Sequence, residues 1–385
     1  MTFAPERPLE GVQVLDLSRV LAGPWATQIL GDLGAEVWKV ERPGLGDETR
    51  AWGPPFAAGE SAYYLAVNRN KRSAALDLND PASRAAVRRA AAQADVLVEN
   101  FLPGELAGFG LDPAQLRREH PDLVIASITG FGQDGPYASL PGYDAVLQGF
   151  IGLMSITGEA DGPPLKVGVA VVDVLTGVHA AAAILGALVG RFRGRGGAHL
   201  DVPLFEVGVT ALANVSQGAL TTGLPARRHG NAHPTIVPYQ TFQAADGAFV
   251  VAVGNDAQWT RLCEAIGDPS LARAEWAANP QRVLHRAELV PAMAAHFRSR
   301  PRAEWLERLA KVRVPAGPVR EMLEVVQDPA LAARGMITEA TLAGADAPVR
   351  LWRLPWQSDG RRPDLTLAPP RLGQHTAEFL ARFGG

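Results

Sequence analysis

The feature that most constrains this chain is an alternation of short apolar runs with longer helical stretches, which recurs from Val12 to Val202. Val12-Gln-Val-Leu-Asp-Leu reads as a buried strand, Trp25 to Leu33 as a helix stopped by Gly34, and Ala35-Glu-Val-Trp-Lys-Val-Glu as a second strand. Strand-like Ala74 to Leu78 and a helix over Pro81 to Ala94 follow. Asp95-Val-Leu-Val-Glu-Asn is then a strand, a helix opens at Leu111-Asp-Pro, and Leu123 to Ile128 and Ala198 to Val202 are strands. Strand, helix, strand units of this kind build a parallel sheet, so an α/β, Rossmann-like domain is expected, with its ligand beyond the carboxyl ends of the strands. No G-x-G-x-x-G lies between the first strand and its helix, which argues against a nicotinamide enzyme.

The 385 residues exceed the size at which one core usually stops growing, so a second lobe is expected. Composition shifts at Gly223-Leu-Pro-Ala-Arg-Arg-His-Gly-Asn, and beyond it Tyr239 to Val253 reads as a hairpin turning at Asp246-Gly247. Helices over Gln258 to Ile266, Ala287 to Arg298 and Arg302 to Lys311 complete a smaller α+β domain. The expected division is 1–222 for the first part of the large domain, 223–320 for the small one and 321–385 for a linker and return. Long connections at Leu220 to Val237 and Arg313 to Asp328 join them.

A formal net charge of −3 carries no polyanion-binding signature, so nucleic acid is not an expected partner. Cys263, the single cysteine, leaves no internal disulfide or cysteine-based metal cluster, and its helical spacing with Trp259 and Ile266 reads as buried filler. Met1 to Pro8 lacks the apolar segment of a signal peptide. The longest apolar run, Val174 to Gly190, is interrupted and shorter than the ~20 residues of a membrane span. A cytoplasmic enzyme without membrane attachment is expected.

Within that run one carboxylate stands out. Asp173 lies where the apolar segment Val167 to Val172 passes into the apolar helix Val174 to Val189. It reads either as an N-cap accepting free amides at the helix start or as a nucleophile kept ionised in a dry place by those amides and the helix dipole. Arg69, Lys71 and Arg72 form a basic cluster that could hold phosphates or be a solvated turn.

Several segments match one family in order: Leu21-Ala-Gly-Pro, Gly31-Asp-Leu-Gly-Ala-Glu-Val, Lys39-Val-Glu-Arg-Pro, Gly46-Asp, Asn68-Arg-Asn-Lys-Arg-Ser, Val98-Glu-Asn-Phe, Gly168-Val-Ala-Val-Val-Asp-Val-Leu-Thr-Gly and Leu372-Gly-Gln-His-Thr. The chain resembles the class III CoA-transferases, which include formyl-CoA and carnitine CoA-transferases. The resemblance implies that Asp173 forms a mixed anhydride with the donor acyl group and then an aspartyl-CoA thioester. It implies CoA contacts at Val20, Leu21, Ala22, Arg42, Leu76, Asn100 and Phe101, with Tyr143 and Asp144 near the thioester. CoA enters as a substrate rather than as a permanently bound cofactor, no metal is implied, and the partners are an acyl-CoA and a small carboxylic acid. The family also implies a homodimer of interlocked rings.

Two departures bear on the substrate. Gly108 and Pro141 stand where some members carry basic residues, leaving Lys71 or Arg72 to take over the phosphate contact. Gly230-Asn-Ala-His-Pro-Thr-Ile-Val-Pro-Tyr-Gln replaces the glycine run of the formyl-CoA enzymes. Gly46-Asp-Glu-Thr-Arg-Ala-Trp-Gly-Pro-Pro-Phe, Val67-Asn-Arg-Asn-Lys and Ile236-Val-Pro-Tyr-Gln are most similar to the branch that moves CoA between succinyl-CoA and glutarate. A dicarboxylate needs a cation for its far end, for which Arg50, Arg69 and His233 are candidates, and Trp52 is a candidate lid. α-Methylacyl-CoA racemase chemistry is the alternative, but its histidine after a glycine is replaced here by Gly142-Tyr143, and a tyrosine is a poor base near neutral pH. A CoA-binding protein without activity would have lost Asp173, which is present.

Overall fold

A computed structural model describes residues 6–385 and separates into two compact units. One comprises the described part of Met1–Leu153 with Lys166–Leu224 and Pro329–Gly385; the other comprises Met154–Leu165 and Pro225–Asp328.

The first unit is built on six parallel strands: β1 (Gln13–Asp16), β2 (Glu36–Glu41), β3 (Lys71–Ala75), β4 (Val96–Glu99), β5 (Val124–Thr129) and β6 (His199–Pro203). Their order in the sheet is β3-β2-β1-β4-β5-β6, so the chain reverses its direction of growth between β1 and β4. The central strands β4 and β5 are buried on both faces and read as apolar runs, whereas the edge strand β6 exposes His199 and Asp201. Val14, Val37, Val96, Val124 and Ala126 face one core, while Leu15, Trp38, Leu97 and Ile125 face the other.

β3 lies earlier than the strand expected over Ala74 to Leu78. It begins on Lys71, whose charge hid it from a hydrophobic reading but whose side chain is fully buried against Asp16 at 3.2 Å. The helix expected over Pro81 to Ala94 is present as Pro81–Gln93, started by Pro81 and by the Asp80 carboxylate, which accepts from the Ser83 amide at 2.8 Å.

Five further helices matter for the site: α1 (Ala22–Asp32), α2 (Asp144–Phe150), α3 (Val171–Phe192), α4 (Leu204–Ala211) and α5 (Ala213–Thr222). α4 and α5 are separated at Leu212 and Ala213, where Ala213 takes φ +46°. α3 starts earlier than expected and absorbs Val171 and Val172. At 22 residues it is long and apolar enough to cross a membrane, so the length argument against a span does not hold. Its burial supplies the reason for its composition: Val172, Thr176, Ala180, Ile184 and Leu188, four apart, face the core. Val172, Ile184 and Leu188 each contribute about 1.5–3 kcal/mol when fully buried. The contact between α3 and α1 depends on Gly177. A Cβ there would stand 2.7 Å from the Ala22 carbonyl oxygen and 2.9 Å from Trp25 Cβ.

The second unit carries the expected hairpin as β7 (Tyr239–Gln243) and β8 (Ala248–Ala252), with β9 (Ala316–Pro318) pairing on the far side of β8. Phe249, Phe297 and Trp305 meet edge to face with centroids 5.1 Å apart in each pair, and Trp259, Leu262 and Cys263 pack in the same core. Cys263 is the filler it was expected to be, its thiol pushed up to about 12 by burial.

Candidate active site

The reversal of strand order between β1 and β4 leaves a crevice beyond their carboxyl ends, where this class of sheet binds ligands. Two segments flank it, the loop after β1 (Leu17 to Leu21) and Asn100-Phe101 after β4. Asn100 ties them together: its Oδ1 accepts from the Arg19 amide at 2.9 Å and its Nδ2 donates to the Arg19 carbonyl at 2.8 Å. Val20 then turns left-handed with φ +70°, a conformation that costs a β-branched residue about 1–3 kcal/mol. Its amide donates to both oxygens of Asp47, at 3.2 and 3.3 Å.

Beneath the loop lies a dry charged core. Lys39 Nζ pairs with Asp47 at 2.9 Å and donates to the Ser18 carbonyl at 2.7 Å. Lys71 pairs with Asp16, which also accepts from Ser18 and Thr27. Burial works against the charge of Asp16, but Lys71 and Lys39 outweigh it and hold the carboxyl below its ordinary range. Burial wins at Lys71, which is pushed down to about 8. Removing one member of such a buried pair costs about 3–5 kcal/mol.

Asp173 faces this loop from the first turn of α3, and it is not the cap. The helix is capped from outside by Asp144, at the start of α2, whose Oδ1 accepts from the amides of Val172 at 2.8 Å and Asp173 at 3.3 Å. Gln148, fully buried, donates to the other Asp144 oxygen at 2.5 Å and accepts from the Val167 amide at 2.8 Å, fixing the segment that leads into α3. α2 is brought close by two glycines back to back: a Cβ on Gly142 would lie 2.5 Å from Gly130 Cα.

With its helix amides taken by Asp144, the Asp173 carboxyl is pushed up to about 7, first by burial and then by the charge of Asp144. This corrects the expectation that amides and dipole keep it ionised. Tyr63, which the sequence reading passed over, belongs to the same electrostatic neighbourhood. Burial and then the charges of Asp173 and Asp144 push its hydroxyl up to about 12, so it stays a hydrogen-bond donor at neutral pH. Its ring meets Trp52 edge to face at 5.3 Å.

Two cavities open here. The smaller, ≈ 280 Å³, is lined by Asp173, Val20, Leu21, Ala22, Asn100 and Tyr143 among others; the larger, ≈ 440 Å³, includes Arg42, Leu76 and Phe109. Arg19, Phe101 and Glu105 line both. The structure therefore brings together Asp173 and all the residues expected at CoA except Asp144, which lies just behind as the cap. No histidine lines either cavity.

Other candidates are engaged elsewhere. Arg50 is bound to Glu41 at 2.8 Å and Glu60 at 2.9 Å and covers the Tyr64 ring at 3.8 Å. Arg69 is buried against Asp32 at 2.5 Å. Neither lines these two cavities, and both are held in ion pairs within the fold. His233 belongs to the second unit, stacked on Tyr239 at 5.3 Å. Lys71 cannot take over a phosphate contact because it is sealed under the sheet, and Arg72 is paired with Glu36 and Glu378. Gly108 and Pro141 do line the cavities; the cation common to both linings is Arg19, half-exposed and paired with Glu48 at 2.6 Å, which the sequence alone did not single out.

Comparison with known proteins agrees with this arrangement. The profile of CoA-transferase family III matches residues 9–376. A succinate–glutarate CoA-transferase of Agrobacterium fabrum is 44% identical, with 99% of this chain and 97% of that protein aligned. The human succinyl-CoA:glutarate CoA-transferase is 41% identical over 97% of this chain and 85% of its own. The crystal structure of a CAIB/BAIF family protein from Brucella suis superposes with a TM-score of 0.86 at 42% identity, covering 98% of this chain and all of that one. The chain, with Asp173 in a crevice at the sheet's switch point, belongs to CoA-transferase family III.

Proposed function

We propose that this enzyme moves CoA from succinyl-CoA to glutarate through covalent intermediates on Asp173. The observation that carries the reading is the position of Asp173: a carboxylate largely withdrawn from water, in a cavity that shares Arg19, Phe101 and Glu105 with a second, larger one. The substrates are those named for the two glutarate enzymes it resembles.

In this scheme the larger cavity takes the nucleotide end of CoA, with Arg42 exposed on its rim and Leu76 and Phe101 on its walls. Guanidinium suits phosphate because it is always charged and can donate two parallel hydrogen bonds. The thioester reaches Val20, Leu21, Ala22, Asn100 and Tyr143. The ionised Asp173 attacks the thioester carbonyl, and the carbon–sulfur bond breaks to give a succinyl-aspartyl anhydride and CoA thiolate. Thiolate attacks the aspartyl carbonyl, releasing succinate and leaving an aspartyl-CoA thioester. Glutarate attacks that thioester and frees the thiolate again, which takes the glutaryl group from the second anhydride and restores Asp173. Removal from water makes a weak nucleophile effective, and the fixed distance to the thioester supplies the rest.

A histidine on the opposite face of the substrate, which racemase chemistry needs, has no counterpart among the cavity residues. A homodimer goes with the transferase reading, and the interlocked form with it. Its support is the exposed apolar surface of one chain: α5 buries none of its residues, and Leu220 and Phe192 are 82% and 67% exposed. A cytoplasmic location fits the same reading. The test is direct. Incubation with succinyl-CoA and a panel of dicarboxylic acids should give glutaryl-CoA fastest, and a protein that makes no new thioester from any acid contradicts the assignment.

A further inference from the structure

Val20 is the only β-branched residue among the described residues with a left-handed backbone; the other non-glycine positions with positive φ are Ala58, Asn70, Ala213, Arg313 and Asp359. Asparagine and aspartate tolerate this region through local hydrogen bonds, whereas valine has no such means. The turn is therefore imposed from outside, and the partners can be traced residue by residue. The Ser18 carbonyl is held by Lys39 Nζ at 2.7 Å, Arg19 is held on both sides by Asn100, and the Val20 amide is held by Asp47. Asp47 in turn accepts from the amide of Thr49 at 3.0 Å and its hydroxyl at 2.7 Å.

The side chains of Asp47 and Lys39 are both 0% exposed, so neither presents its charge to substrate, although residue 47 forms part of the wall of the larger cavity. Burial alone would push Asp47 toward its neutral form, but Lys39 and the Thr49 donors reverse this and hold the carboxyl below its ordinary range. Directly after the turn come Leu21 and Ala22, which line the cavity of Asp173, and α1 begins there with no side-chain cap.

We propose that Asp47, locked by Lys39, is a positioning residue of the transfer reaction: it holds Val20 in its left-handed turn so that the Leu21-Ala22 backbone meets the acyl group opposite Asp173. This rests on the CoA-transfer reading above. Asp47 acts through Val20 and touches neither the thioester nor Asp173. A residue that stabilised the fold alone would place no demand on the chirality of residue 20; a residue that imposes φ +70° would be needed less if residue 20 were glycine, which adopts that conformation freely.

The test compares the full-length wild type with Asp47→Asn, Val20→Gly and the double variant, measuring kcat and KM for succinyl-CoA with saturating glutarate. Asp47→Asn should lower kcat by about tenfold or more, matching the strain it holds, while KM for succinyl-CoA changes by less than about threefold because the substituted side chain is fully buried and Arg42, Leu76 and Phe101 of the nucleotide cavity are unchanged. Adding Val20→Gly to Asp47→Asn should recover about fivefold or more of that loss without restoring the melting temperature. A wild-type kcat in Asp47→Asn, or a double variant no faster than Asp47→Asn, overturns the proposal. If Asp47→Asn does not fold, Thr49→Val loosens the carboxylate while keeping the pair with Lys39. A fall in kcat that Val20→Gly relieves then supports the role, and an unchanged kcat overturns it. Wild-type protein that transfers no CoA would instead refute the transfer reading. In that event the positioning claim still predicts slow hydrogen exchange at the Val20 amide in the wild type and fast exchange in Asp47→Asn.

Discussion

In the proposed cycle Asp173 is a nucleophile in one moment and a leaving carboxylate in the next, and its surroundings suit both. Capping amides would hold its charge so firmly that attack became costly; here Asp144 occupies those amides and Asp173 keeps its lone pairs for the substrate. The consequence is a carboxyl raised to about 7. The rate at low substrate should therefore climb as pH passes through about 7, where the attacking anion forms, and level off above it. Asp144→Asn keeps an acceptor for the amides but removes the neighbouring charge, so the midpoint of the rise should move to lower pH; rate profiles of the two proteins check it. Stability carries the opposite sign. The native carboxyl titrates near 7 against 3.8 ordinarily, so holding the anion weakens the fold progressively as pH rises from 4 to 7. Asp173→Asn should be more stable than wild type at pH 8, by on the order of 2–4 kcal/mol, and the advantage should vanish near pH 4. Denaturant melts at both pH values measure this. The sequence marked Asp173 as the residue to explain, but it could not say which acid was the cap. Asp144 is 29 positions away in sequence from Asp173, and only the fold brings it to the helix start.

At the scale of elements, α1 and α3 approach closely enough that Gly177 has no room for a methyl group. Gly177→Ala should push the first turn of α3 away from α1, costing about 1–3 kcal/mol of stability. It should also lower kcat by more than the stability loss explains, because Asp173 rides on that turn; a melt and a kinetic assay on one preparation separate the two effects. The central strands of the large sheet were legible because burial on both faces makes β4 and β5 largely apolar. β3 was misread because Lys71 and Ser73 are buried polar residues whose partners, Asp16 and Glu41, come from other strands. The break between α4 and α5 was likewise invisible, since nothing in Leu212-Ala213 announces a left-handed residue. Of the cations suggested for a dicarboxylate, Arg50 and Arg69 proved to be ion-paired within the fold. Charge in a sequence does not reveal whether its partner is a ligand or a neighbouring strand.

At the scale of the molecule, the parallel sheet, the crevice at its switch point and a separate antiparallel unit fit an enzyme that shuttles one large substrate past one side chain. In the proposed dimer a second copy would cover exposed apolar residues such as Val178, Val189, Phe192 and Leu220. The protein should sediment at twice the mass of one chain even at nanomolar concentration, and a stable folded monomer would contradict the dimer. The most direct test of the central claim is chemical. Enzyme turning over succinyl-CoA is quenched with hydroxylamine, and the peptide spanning Asp173 is weighed. An aspartyl hydroxamate at Asp173, formed only when acyl-CoA is present, is the predicted result; an unmodified Asp173 in enzyme caught during active transfer would contradict covalent exchange at this carboxylate.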